Sequence, residues 1–273
     1  MADDRYFKGL FKKYQFPALT NLGTAFGMGM IVCTFMLSLS TPGQSYGLAV
    51  LTGFLGAVVG SVVSTRLMLR FTTKLYGKEE KMVPHAEKAT AAAPTRPIRE
   101  GSLGSRFMGA LMDGGMSGVK MGVSIIPGVL IICSIVMMLT NGPSADGTYT
   151  GAAYEGIRLL PMLADKCSFI LEPLFGFSSP EAIGVPITAL GAAGAATSMA
   201  AQLAAKGLAD AGDIAVFTAM CMCWSGYLST HVSMMSSLGC SELTGKAIVS
   251  HTVGGLCAGI ASHWLYVLFS LLP

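Results

Sequence analysis

From Tyr14 to Thr65 the chain runs 52 residues without one Asp, Glu, Lys or Arg, interrupted only by a Thr41-Pro42-Gly43-Gln44 turn signal. Its arms, Pro17 to Leu39 and Tyr46 to Phe71, each exceed the ~20 apolar residues a helix needs to cross about 30 Å of hydrocarbon. Lipid offers an open backbone no hydrogen bonds, so such a run is expected as two membrane-spanning helices rather than part of a soluble core. Composition agrees: mean hydropathy is +0.60, with 52% hydrophobic and only 12% charged residues, and the 34 Gly and 18 Met suit close helix contact in lipid. The expected fold class is all-α, a polytopic membrane protein.

Charge then sets the expected orientation. Residues 1–106 hold 13 of the 18 basic and 6 of the 15 acidic residues, net +7, whereas 107–273 is net −4. The basic residues cluster beside helix ends: Arg5, Lys8, Lys12 and Lys13 before the first arm, and nine from Arg66 to Arg106 after the second. The positive-inside rule puts both clusters and the N-terminus in the cytoplasm. That position favours a topological role over an anionic-lipid or nucleic-acid patch, and no nucleic-acid partner is expected. The first apolar stretch is too long for a signal-peptide core and lacks a small-residue cleavage site, so it is expected to stay in the mature chain. Cys33, Cys133, Cys167, Cys221, Cys223, Cys240 and Cys257 fall mostly in apolar segments, where a thiol acts as a small hydrophobe. Cys221-Met222-Cys223 lacks the second ligand pair of a zinc site, so neither metal nor cofactor is expected.

Between Lys74 and Ser105 the sequence turns polar, with Pro84, Pro94, Pro97 and Gly101 breaking any helical period. The chain therefore divides into an N-terminal hairpin (1–73), a cytoplasmic linker (74–104) and a second membrane part (105–273). In the hairpin, Gly23-x-x-x-Gly27 and Gly56-x-x-x-Gly60-x-x-x-Ser64 put small residues on one helix face, for contact within the chain or between subunits. The second part opens with a helix from about Ser105 to Leu139, kinked at Pro127. Asp113 and Lys120, two turns apart on one face, are expected inward or interfacial, because either would cost ~2.5–3.5 kcal/mol in lipid. Asn141-Gly142-Pro143 ends it. Leu159 to Phe177, broken by Pro161, Asp165, Lys166, Glu172 and Pro173, reads as a buried or interfacial helix.

Two segments then depart from ordinary spans. After a Ser178-Ser179-Pro180-Glu181 helix start, Ile183 to Leu208 is almost devoid of large side chains, with Gly191, Gly194, Thr197 and Ser198 in its middle. A re-entrant helical hairpin needs such a tip, where backbones and a ligand approach closely; a plain small-residue packing helix is the competing reading. From Ile214 to Leu238 the second half carries Ser225, Gly226, Tyr227, Ser229, Thr230, His231, Ser233, Ser236 and Ser237. These hydroxyls suit a broken helix that lines a solute site, or bond back to their own preceding turn. His231 is either a proton relay or a hydrogen-bonded core residue. A last helix spans Leu243 to Leu272.

Met112-Asp113-Gly114-Gly115, Ile126-Pro127-Gly128-Val129 and Leu171-Glu172-Pro173-Leu174-Phe175-Gly176 come in that order, followed by the Gly/Ala segment with Thr197, Ser198 and Gln202 and the polar broken helix. Over about residues 106–272 this resembles the nucleoside-recognition, or Gate-domain, family of bacterial inner-membrane proteins, in particular its small YjiG-type members, which are encoded beside a partner with a related Gate domain. More distantly it is similar to the C-terminal half of the concentrative nucleoside transporters. The resemblance implies transport, with the tip around Gly191 to Ser198 and the break around Ser225 to Ser233 facing each other near the midplane. Where those transporters show an Asn-Glu pair for ribose this chain has Ala196-Thr197 or Thr197-Ser198, and Tyr227 stands for an Asn, which argues against a nucleoside as solute. Their first repeat has no counterpart in residues 1–75, so a site of two halves implies a second subunit.

The expectation is thus a subunit of a transporter for a small polar solute, embedded in membrane lipid and completed by a sister Gate-domain subunit or a second copy of itself. Gly191, Gly194, Thr197, Ser198, Gln202, Ser225, Tyr227, Ser229, Thr230 and Ser233 are the expected solute contacts. Asp113, Lys120, Glu172 and His231 are the expected coupling or gating groups, with Na+ or H+ as the coupling ion. The alternative class is a non-transporting structural or regulatory subunit. An intramembrane enzyme using Ser225 with His231, His251 or His263 is not favoured, for want of a Gly-x-Ser-x-Gly or His-Glu-x-x-His pattern.

Overall fold

The computed structural model describes residues 11–39, 45–80, 100–144, 146–152 and 155–271; the expected turn at 41–44 and most of the expected linker lie outside them. The described chain is helical, without a strand. In order it forms α1 (Ala18–Thr24), α2 (Gly29–Ser38), α3 (Gly47–Tyr76), α4 (Leu103–Thr140), α5 (Leu159–Phe175), a 3-10 turn (Pro180–Ile183), α6 (Gly184–Ala189), α7 (Ala193–Ala205), α8 (Ala211–Cys223), α9 (Tyr227–Ser237), a second 3-10 turn (Ser241–Leu243) and α10 (Thr244–Ser270). Three segments, Ala18–Ser38, Gly47–Tyr76 and Ser241–Ser270, are long and apolar enough to cross a membrane, consistent with a membrane protein.

Local signals explain several boundaries. Ser102 caps α4, its hydroxyl accepting from the Ser105 amide. Asp210 and Asp213 form a reciprocal capping box at the start of α8. The Asp213 carboxylate also accepts from the Ser178 amide at 3.1 Å and from the Ser178 hydroxyl, so a fully buried acid is saturated and ties the chain before α6 to α8. Pro127 lies inside an uninterrupted α4.

Helix α8 is the centre of the packing. Every residue from Asp213 to Cys223 is buried, as expected of a helix apolar on all sides, and α3 and α10 pack along it. Where α3 meets α10, backbones touch. A Cβ on Gly60 would stand 2.5 Å from the Gly254 carbonyl oxygen and 2.6 Å from the Ala258 Cβ, and one on Gly254 2.6 Å from the Ser64 Cβ. One turn earlier, a Cβ on Gly56 would stand 2.6 Å from the Ala258 carbonyl oxygen. The Gly56, Gly60, Ser64 stripe thus meets a helix of its own chain nearly 200 residues on, joining the N-terminal segment to the C-terminal one.

The first arm departs from expectation. It is not one helix: α1 and α2 are separated by a turn at residues 25–28. Gly23, Gly27 and Gly29 lower helix propensity there, and Gly23, with nothing within 4 Å of a built Cβ, is not a packing contact in this chain. Most described side chains of α5, among them Met162, Leu163, Phe169 and Ile170, are exposed rather than buried, and Phe175 at its end is the one that enters the core. The outer face of α4 likewise presents Leu111, Val119, Ile126, Leu130 and Ile131; lipid solvates such faces, so no protein partner is needed to cover them.

At one end Lys12 pairs with Glu79 and Lys13 with Glu80, each at 2.8 Å, and the Lys13 ammonium lies 4.4 Å from the centre of the Tyr76 ring. The Tyr76 hydroxyl donates to Glu242 at 2.8 Å. Exposed pairs of this kind are screened by solvent and add little, so they mark position more than stability. They bring Lys12 and Lys13, the end of α3 and the turn that leads into α10 to one side. In the loop between α4 and α5, the Thr150 hydroxyl and amide, the Gly151 amide and the Ser144 hydroxyl hold Glu155 down to about 2. Its contribution is present above the ordinary carboxylate range and is lost only as pH falls towards that value.

Gly60→Leu is expected to lower stability by about 3 kcal/mol, because backbone stands on the far side of the missing side chain and cannot give way. Gly23→Ala is expected to be neutral or slightly stabilising. Thermal unfolding of the two variants in lipid nanodiscs checks the pair.

Candidate functional site at the meeting of three helix interruptions

The turn between α1 and α2, the bend at residues 190–192 between α6 and α7, and the break at residues 224–226 between α8 and α9 come together. At the centre is Gly226, with φ +70° in the left-handed region where glycine is favoured. Its amide donates to the Ala189 carbonyl at 3.0 Å, and a Cβ on it would stand 3.1 Å from the Gly191 carbonyl oxygen. From the third side, a Cβ on Gly27 would lie 3.9 Å from the Ser225 hydroxyl, and one on Gly29 3.2 Å from the Met222 terminal methyl. The Cys33 thiol donates to the Met222 sulfur at 3.7 Å. None of the helices that start here, α2, α7 and α9, has a side-chain cap on its first amides.

The expected contact residues divide. Gly191, Ser225, Tyr227, Ser229, Thr230, Ser233 and His231 lie at or just below the break. Gly194, Ser198 and Gln202, each four residues from the next, line the exposed face of α7 instead. Thr197 is buried. The hydroxyls of Thr197 and Ser198 both donate to the Gly194 carbonyl at 3.0 Å, and those of Ser229 and Thr230 to the Gly226 carbonyl at 2.8 and 3.1 Å. All four therefore bond back to their own turn and keep only acceptor capacity for another group. Asp113 and Lys120 are exposed on α4, which packs on α9. Glu172 lies in α5, and its side chain is outside the described ones.

Below the break stands a ring cluster that the sequence reading did not assemble. His231 and His251 have centroids 4.7 Å apart, and Tyr227 lies 5.9 Å from the first and 5.0 Å from the second. Trp224 stacks on Tyr227 at 6.1 Å. All four are at most 6% exposed. His251 is fully engaged: its Nε2 lies 2.6 Å from the Cys223 carbonyl oxygen and its Nδ1 3.2 Å from the Ser64 hydroxyl. A carbonyl only accepts, which assigns the proton to Nε2 and makes Nδ1 the acceptor of the Ser64 O–H. Ser64 in turn accepts from the Asn21 amide at 2.9 Å, which also donates to the Ala247 carbonyl at 3.1 Å. The Tyr227 hydroxyl meets that of Thr252 at 2.6 Å.

His231 is the opposite case. It is 0% exposed and neither ring nitrogen has a hydrogen-bond partner; the Tyr227 carbonyl one turn back is near the ring but outside bonding geometry. The Trp224 indole N–H, turned onto Gly255, is also unpartnered. Asn21, a lone amide near the start of the uncharged first arm, is a signal the sequence carried for this cluster, as is the indole of Trp224 beside the hydroxyl-rich segment. Among the described residues no group of three or more His, Cys, Asp or Glu converges as metal ligands. His263 lies twelve residues beyond His251 on α10, about 18 Å along the axis, and packs on Gly176.

Comparison with protein-family models, with curated proteins and with solved structures returns no match for this chain.

The two histidines are expected to respond oppositely to replacement. His251→Leu strands the Ser64 hydroxyl and the Cys223 carbonyl and should cost about 2–3 kcal/mol, whereas His231→Leu removes two unpaired buried nitrogens and should be neutral or stabilising. Parallel melting curves of the purified variants check this.

Proposed function

We propose that the chain is one subunit of a transporter for a small polar solute in the bacterial inner membrane, with its N-terminus in the cytoplasm. The observation that carries the reading is the convergence of three helix interruptions, two of them joined by the Gly226 amide and the Ala189 carbonyl, in a chain with three membrane-capable segments. Irregular backbone in a bilayer is tolerated where protein or a cavity satisfies it, and discontinuous helices are the usual means of building a solute site at that depth. In this reading α6 and α7 form a re-entrant hairpin and α8 and α9 a broken span. The exposed Gly194, Ser198 and Gln202 face of α7 receives the second half of the site, from a sister Gate-domain subunit or a second copy. Asp113, Lys120, Glu172 and His231 serve coupling or gating, with Na+ or H+ as the ion.

One observation favours a second reading, a structural or regulatory subunit without transport. The hydroxyls of Thr197, Ser198, Ser229 and Thr230 are already bonded to their own turns, as plain packing helices would have them.

Ser198→Trp separates the readings, since that side chain is exposed and its replacement leaves the core packing of the chain untouched. In proteoliposomes carrying the complex that co-purifies with the chain, uptake across a metabolite panel is expected to fall at least about ten-fold with assembly intact, as when a site is blocked rather than loosened. Unchanged uptake would support the structural subunit. A preparation that returns only this chain, whose deletion alters no uptake, would remove the transport reading.

A further inference from the structure

Resting on the transport reading, we infer that the solute is uncharged, carries a hydrogen-bond donor and an acceptor, and binds against Trp224, Tyr227, His231 and His251, deeper than the hairpin tip. The cluster has unspent hydrogen bonding in a definite pattern. A neutral imidazole holds one N–H and one lone pair, and His231 uses neither; Trp224 adds an N–H. Buried polar atoms are nearly always paired, and leaving one unpaired costs about 1–3 kcal/mol, so three in one ring cluster mark a place where a partner docks. The neighbouring ring excludes a trivial explanation: His251, 4.7 Å away, is satisfied at both nitrogens and the Tyr227 hydroxyl is paired, so the cluster is not simply poorly bonded.

The same surroundings define the chemical class. No Asp, Glu, Lys or Arg is among the partners found for these four rings in the described residues. An ion placed here would lose its hydration with no countercharge to replace it, whereas a neutral amide-, urea- or alcohol-like group exchanges water for the His231 and Trp224 atoms. The aromatic walls add dispersion contact without charge. Since His231 is 0% exposed, the solute enters when α9 moves from its neighbours, a motion for which the Gly226 break is the natural hinge.

The chain has two tryptophans, Trp264 at 59% exposure and Trp224 at 6%, so Trp264→Phe leaves one fluorophore inside the cluster. In nanodiscs this variant is titrated with acetamide, acetate and methylammonium as probes. Acetamide is expected to shift Trp224 emission saturably, with no saturable change from either ion. Adding His231→Phe should weaken acetamide binding about ten-fold, the equivalent of one net hydrogen bond, and His231→Gln should restore most of it. If acetamide gives no saturable shift, if an ion binds as well, or if His231→Phe binds as wild type, the inference is overturned. Should His231→Phe not fold, the His231→Gln comparison alone decides, with a loss beyond about ten-fold counting against a donor-acceptor role. Failure of the parent reading looks different: no metabolite is taken up while acetamide still binds.

Discussion

The arrangement depends on α3 and α10 lying backbone against backbone. In lipid there is no water-driven collapse between two apolar helices, so association must come from packing and from internal hydrogen bonds. Gly56, Gly60 and Gly254 allow the approach by having no side chain, and the close approach brings Ser64 within reach of His251. That pairing sits beside the bond from the His251 Nε2–H to the Cys223 carbonyl at the end of α8, which fixes the proton on the ring, and beside the clamp of Asn21, on α1, to Ser64. A wider spacing would separate Ser64 from His251 and leave the Nδ1 acceptor without its donor.

On that rigid seam the chain hangs three discontinuities. A helix that stops within a packed interior leaves amides and carbonyls to be satisfied, which is unfavourable unless the break meets another break or a polar side chain. Here the Gly226 amide finds the Ala189 carbonyl, and the Ser229 and Thr230 hydroxyls find the Gly226 carbonyl. Most local polar groups are thus quieted by neighbours. The imidazole of His231 and the indole of Trp224 are not, and the contrast with His251 directs the chemistry to them.

Much of the helical layout was legible from residue pattern. The 52-residue uncharged run, the α4 segment expected at about Ser105 to Leu139 and found at Leu103–Thr140, and the last helix all follow from apolar length. The bend near Gly191 and the break near Ser225 were legible because Gly/Ala density and clustered hydroxyls are unusual in a plain span. The interruption between α1 and α2 was not, since Gly23 and Gly27 at four-residue spacing fit a packing stripe as well as a turn. Nor was the partner of the Gly56 stripe, because nothing local says which helix a smooth face will meet. The Ser64–His251 pairing spans 187 residues and Asn21–Ser64 spans 43, so both exist only after the seam has formed. For the same reason sequence placed Gly194, Ser198 and Gln202 with the tip, while one turn of helix geometry carries them to the outer face.

Disulfide trapping between the first interruption and the third tests the central arrangement most directly. In a chain with its own cysteines replaced, Gly27→Cys with Ser225→Cys places two sulfurs in reach, since a Gly27 Cβ would lie 3.9 Å from the Ser225 hydroxyl. Rapid, near-complete crosslinking in native membranes is the predicted result, with Gly23→Cys and Ser225→Cys remaining unlinked. A folded protein in which the first pair stays reduced under oxidant would show that the interrupted helices do not meet, and would contradict the account.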